Sequence, residues 1–127
     1  MTTSRIEPLI GVVGPCAAGK STLIAVLRQE GFSVRHIAQE HSYVKNMWKR
    51  LTNPDILIFL DVSFEMTLKR RKLNWNIQEY QEQHNRLSNA REYANLYIQT
   101  DELSAEEVHS VVINFLHNHL SQPDHRT

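Results

Sequence analysis

The sequence predicts an α/β protein, a three-layer sandwich with a small parallel sheet of about four strands. Three observations predict it. Short apolar runs alternate along the chain with stretches of helical periodicity. The two clearest runs, at Leu9–Val13 and Ile56–Asp61, are apolar without a polar side, as in strands covered on both faces. Three of the four glycines (Gly11, Gly14, Gly19) crowd into one strand-to-helix junction, which marks an unusual backbone requirement there.

The elements follow in order. Leu9, Ile10, Val12 and Val13 form a buried strand ending in Gly14. A helix begins near Lys20, carries Leu23, Val26 and Leu27 at helical spacing, and stops at Glu30-Gly31. Residues 32–38 form a second strand, in which Val34, His36 and Ala38 share one side. Tyr43, Val44, Met47, Trp48 and Leu51 predict a short amphipathic helix closed by Asn53-Pro54. Ile56 to Asp61 is the third strand, and Ser63 caps a helix with Phe64, Met66, Thr67 and Leu68 before Lys69-Arg70-Arg71-Lys72. A long polar helix is expected from about Ile77 to Tyr93, then a last strand from Ala94 to Gln99. Ser104 caps a final amphipathic helix bearing Val108, Val111, Val112, Phe115 and Leu116. This β-α-β-α-β-α-β-α order places helices on both faces of a parallel sheet.

The 127 residues suit one domain, expected over residues 1–120, with 121–127 as a frayed tail. Lys plus Arg and Asp plus Glu number 14 each, so bulk charge argues against nucleic acid or an anionic membrane as partner. A single cysteine, Cys16, excludes an intrachain disulfide and fits a reducing compartment. Met1 to Pro8 lacks the apolar core of a signal peptide, and no apolar run approaches the ~20 residues of a membrane span. A soluble cytoplasmic protein is the expectation.

Gly14-Pro15-Cys16-Ala17-Ala18-Gly19-Lys20-Ser21-Thr22 contains the pattern Gly-x4-Gly-Lys-Ser without a mismatch. Each part has a physical reason. The glycines let the backbone curl so that successive N–H groups face an anion. The helix starting near Lys20 aims its positive end at the same anion. Lys20 adds a full charge toward terminal phosphates, the Ser21 hydroxyl is the candidate Mg²⁺ ligand, and Thr22 adds a hydroxyl contact. The expected ligand is a nucleotide, ATP with Mg²⁺. Cys16 reads as a small loop residue rather than a redox switch.

With that loop the sequence resembles the P-loop small-molecule kinases, the nucleoside and nucleotide kinase superfamily. Pro54 to Ser63 looks like the strand before the lid helix of thymidylate and deoxynucleoside kinases. Arg86, Ala94, Leu96 to Thr100 and Leu103 to Val108 resemble the closing helix, last strand and last helix of shikimate-kinase-like enzymes. The resemblance implies a P-loop NTPase fold. It makes Lys69, Arg70, Arg71 and Arg86 (with Arg91 a further candidate) lid or closing-helix cations that clamp phosphates. It also brings Thr100 to Leu103 near the adenine. The chain departs from the family before Pro54. Only Glu40 to Asn53 stands where those kinases place an acceptor-binding region and another strand, so that region is shortened or absent.

Two carboxylates compete for the task of orienting Mg²⁺ or taking a proton. Asp61 ends an apolar strand; Glu40 ends the second strand and would sit beside the loop if that strand pairs directly with the first. The reading favours Glu40, with His41 next to it a candidate proton carrier. His117 and His119, two apart on a helix, point to different faces and make no metal pair. The expected function is a small kinase-like phosphotransferase acting on a small-molecule acceptor, with a protein partner as another route to holding that acceptor. A nucleotide hydrolase and a non-catalytic nucleotide-binding module are the alternatives. A GTP switch is disfavoured because no Asn-Lys-x-Asp motif is present.

Overall fold

The computed structural model describes residues 8–71 and 74–121. Four strands, β1 (Leu9–Val13), β2 (Ser33–His36), β3 (Ile56–Asp61) and β4 (Leu96–Gln99), form one sheet in the order β2-β1-β3-β4. Every pairing is parallel, with Val12 opposite His36 on one side and Ile58 on the other. The helices are α1 (Lys20–Gln29), α2 (Phe64–Arg71), α3 (Ile77–Arg86), α4 (Ser88–Tyr93) and α5 (Ala105–Ser121).

Strand alternation splits the core in two. Ile10, Val12, Ile56, Ile58 and Leu60 face Leu23, Ile24 and Leu27 of α1 and Val108, Val112 and Leu116 of α5. Val13, Leu57 and Phe59 face the other way, toward Trp48, Leu87 and Ala90. Both faces of the sheet are therefore covered, which is why β1 and β3 read as continuous apolar runs. No described helix is long and apolar enough to cross a membrane.

Three expected elements differ. The amphipathic helix over Tyr43–Leu51 does not form; this stretch is a series of turns ending in a π-helical turn, Trp48–Thr52. The buried Gln39 amide explains it. Its Nε2 donates to Val44 O (2.9 Å) and its Oε1 accepts from Trp48 N (2.8 Å), separating the two groups an α-helix would join. Trp48 stays buried, while Tyr43 and Leu51 are 85% and 79% exposed. The long helix over Ile77–Tyr93 breaks at buried Leu87. Its N–H is shared between Gln83 O and His84 O, and the Ser88 hydroxyl takes Asn85 O. The second strand ends at His36 with Val34 its buried residue; His36 and Ala38 are exposed, and Ile37, just past the strand, is buried instead.

The caps at Ser63 and Ser104 form as read. Ser63 Oγ accepts from Met66 N, and Ser104 Oγ accepts from Glu107 N while Glu107 returns a bond to Ser104 N. Lys72 and the tail residues 122–127 lie outside the described residues, as do residues 1–7; Ser121, expected in that tail, is the last residue of α5.

Candidate functional site

The loop from Gly14 to Gly19 joins β1 to α1 at the carboxyl end of the sheet. Its backbone depends on glycine at two points. Gly14 has φ 153°, and a Cβ there would lie 2.0 Å from Leu60 O. Ala17 (φ 68°) and Gly19 (φ 96°) are both left-handed, and a Cβ at Gly19 would meet no atom within 4 Å, so the space before it is open. Helix α1 then starts with no side-chain cap and no acidic residue in its first turn. Among the described residues, the N–H groups of Gly19, Lys20, Ser21 and Thr22 meet no acceptor. Such a cluster of unused donors at a helix start has the geometry and polarity that suit an anion. Ser21 and Thr22 are exposed on that turn.

Lys20 is the buried cation of the site, 7% exposed. Its Nζ donates to Gly14 O (2.6 Å) and Pro15 O (2.9 Å) and lies 3.1 Å from Glu40 Oε2. Glu40 reaches it because β2 pairs directly with β1 and the chain then makes one 3₁₀ turn, Gln39–His41. The Glu40 side chain is 4% exposed, yet its Oε1 has no hydrogen-bond partner among the described residues. His41 Nε2 lies 3.8 Å from Glu40 Oε2, with its ring mostly in solvent.

Asp61 is placed differently. It is buried at the end of β3, where Oδ2 accepts from the Tyr97 hydroxyl (2.5 Å), Oδ1 accepts from Val62 N (2.9 Å), and His84 Nε2 lies 3.4 Å from Oδ1. Burial pushes its pKa up, but His84, Tyr97 and the Val62 amide together outweigh burial and hold it below the ordinary 3.8. Tyr97 answers in kind: burial and the Asp61 carboxylate push its hydroxyl up to about 12.

The cations separate into two groups. Arg70 spans the loop, donating to Ala17 O (3.1 Å), Thr100 Oγ1 (2.9 Å) and Thr100 O (2.6 Å). Arg71 shares with Lys20, His36, Glu40 and Arg70 the lining of a cavity of about 570 Å³ in front of the loop. Lys69 is exposed on the same helix. Arg86 instead braces Glu40 from behind, donating to Glu40 O (3.3 Å) and Glu82 Oε1 (2.7 Å) beneath the Tyr43 ring. Arg91 lies over the Tyr97 ring. A second cavity of about 430 Å³ runs from Ala18 and Gly19 past Thr100 and Leu103 to Val108.

Two glutamines were not singled out in the sequence. Gln83, 7% exposed, accepts from Cys16 N (3.1 Å) and donates to Cys16 Sγ (3.2 Å), which ties α3 to the loop. Gln39 orders the segment that follows Glu40. Neither carries a local signal, because both partners lie in segments fixed by tertiary packing. No protein-family model matches the chain, and no curated protein matches it significantly.

Proposed function

We propose that this chain is a P-loop protein that binds ATP with Mg²⁺ and acts as a small kinase-like phosphotransferase on a small-molecule acceptor, in the cytoplasm. The observation that carries the reading is the buried Lys20 held between two loop carbonyls and Glu40, under a helix start whose N–H groups are unused. A phosphate entering that cradle satisfies the orphan donors and gives Lys20 a doubly charged partner. The first-turn Ser21 hydroxyl fits as a Mg²⁺ ligand, and Mg²⁺ would supply neutralisation of phosphate charge.

The chain's own residues divide the remaining work. Arg70, already laid across the loop, adds charge at the phosphates. The cavity lined by Thr100 and Leu103 suits a flat apolar base. Glu40, released from Lys20 by a phosphate, is the carboxylate placed to orient an attacking hydroxyl or accept its proton. The larger cavity, lined by the loop together with Glu40 and Arg71, takes the phosphates and, on its Glu40 side, the reacting group of the acceptor.

A non-catalytic nucleotide-binding module, or a slow hydrolase, is the second reading. It is favoured by the direct β1–β2 pairing and the short segment 40–53, which leave little protein to hold an acceptor. An assay of ADP release over a panel of small hydroxyl and phosphate acceptors separates them. Acceptor-dependent release supports the kinase. Acceptor-independent release supports the hydrolase, and Mg²⁺-dependent ATP binding without release supports the module.

A further inference from the structure

We propose that Cys16, Glu40 and His41 form a binding site for one divalent ion of the zinc class at the mouth of the loop. Each residue offers a ligand atom, and the three atoms lie within 4.8 Å of one another. A tetrahedral ion with bonds of about 2.0–2.3 Å brings its ligands roughly 3.3–3.8 Å apart. The remaining closure is small, and His41 is free to make it because its side chain is 61% exposed.

Independent observations point to a ligand there. The buried Glu40 Oε1 has no hydrogen-bond partner among the described residues, while Oε2 already serves Lys20. Glu40 Oε2 faces both Lys20 Nζ (3.1 Å) and His41 Nε2 (3.8 Å), and with Oε1 uncommitted the carboxylate has lone pairs left for an ion beside the ammonium. Gln83 holds Cys16 at both ends, through the Cys16 N–H and through an amide donor to Sγ (3.2 Å). A fixed donor on the sulfur orients it, as outer partners of metal ligands do.

Binding is ligand exchange without redox change. The Cys16 S–H bond breaks, its proton goes to solvent, and the sulfur lone pair forms the metal–sulfur bond. Thiolate with imidazole selects a borderline-soft ion, whereas Mg²⁺ prefers oxygen donors. The site stands on these three side chains and does not rest on the nucleotide-binding reading. Once filled, it occupies Glu40 and so silences any chemistry that carboxylate serves.

The test is a titration of metal-free protein with Co²⁺, followed by displacement with Zn²⁺. The expected result is one equivalent of Co²⁺, a near-ultraviolet sulfur-to-cobalt charge-transfer band, the visible bands of a tetrahedral ion, and displacement by Zn²⁺ but not by excess Mg²⁺. Cys16→Ser removes the charge-transfer band. Cys16→Ser and His41→Ala each weaken binding by about a hundredfold or more, and Gln83→Leu weakens it by about tenfold with the band retained. Changing His117 and His119 together to Ala leaves all of this unchanged. Circular dichroism establishes that each variant is folded. Absence of the charge-transfer band in the folded wild type overturns the proposal. So does unchanged affinity in His41→Ala, or loss of the signal in the His117/His119 variant.

Discussion

Two strands of this sheet lead to a buried carboxylate, Asp61 at the end of β3 and Glu40 four residues past β2, and the two are treated in opposite ways. Asp61 at the end of β3 has both oxygens engaged, by Tyr97 and by the Val62 amide, with His84 close by. Glu40, just past β2, has one oxygen on Lys20 and the other without a hydrogen-bond partner among the described residues. A saturated carboxylate holds structure together. An unsaturated one at a cavity wall stores an interaction for something that arrives later. Burial alone does not separate the two, since both are under 10% exposed; the inventory of partners does.

The largest effect expected from this contrast is on turnover. Glu40→Gln should cut any phosphoryl transfer by a factor of about 10²–10⁴ while leaving ATP binding largely intact, and Asp61→Asn should leave the rate in the folded protein nearly unchanged. Steady-state rates of both variants check it. The reverse pattern would make Asp61 the working carboxylate.

Next in size is the Lys20–Glu40 pair. Lys20→Ala strands a buried carboxylate, which should destabilise the fold by about 3–5 kcal/mol in urea unfolding. Adding Glu40→Gln to that variant should recover part of the loss, because the stranded charge is gone. Additive losses would mean that the two residues are not energetically coupled.

Asp61→Asn should cost about 1–3 kcal/mol of stability, because it leaves a buried donor unmatched, and Tyr97→Phe about 0.5–1.5 kcal/mol. Urea unfolding of the two variants measures both. The Asp61 contribution also has a defined pH dependence. Its folded pKa is lowered from 3.8, so the wild type's advantage over Asp61→Asn is full above that value. It should shrink as the pH falls below it toward the folded pKa. An advantage that grew on acidification would mean the carboxyl is held protonated instead.

The contrast also divides what the sequence could reveal. Strands β1 and β3 were legible because burial on both faces leaves the run apolar up to its last residue, Asp61 in β3. The loop was legible because Gly14 and Gly19 answer local backbone demands, a close approach to Leu60 O and a positive φ, that side chains rarely meet. Glu40's position followed from counting residues, since a chain with so little between β2 and Pro54 lets β2 pair beside β1. The segment after Glu40 was misread because helical spacing at Tyr43–Leu51 competes with Gln39, whose amide takes the very groups a helix needs. No local pattern announces that a single buried side chain will do this. Leu87 breaks the α3–α4 stretch for a similar reason, its burial fixing a kink that polar composition alone does not mark. The saturation of Asp61 was equally invisible, because Tyr97 and His84 reach it from segments far along the chain.

Calorimetric titration with ATP, GTP and ADP, with and without Mg²⁺, tests the central claim most directly, comparing the wild type with the folded Lys20→Ala/Glu40→Gln variant. The account predicts one-site, Mg²⁺-dependent ATP binding that weakens by about tenfold or more in the variant, the loss of a charge-assisted contact of about 1.5–3 kcal/mol. Absence of binding to all three nucleotides, or equal affinity in the two proteins, would contradict it.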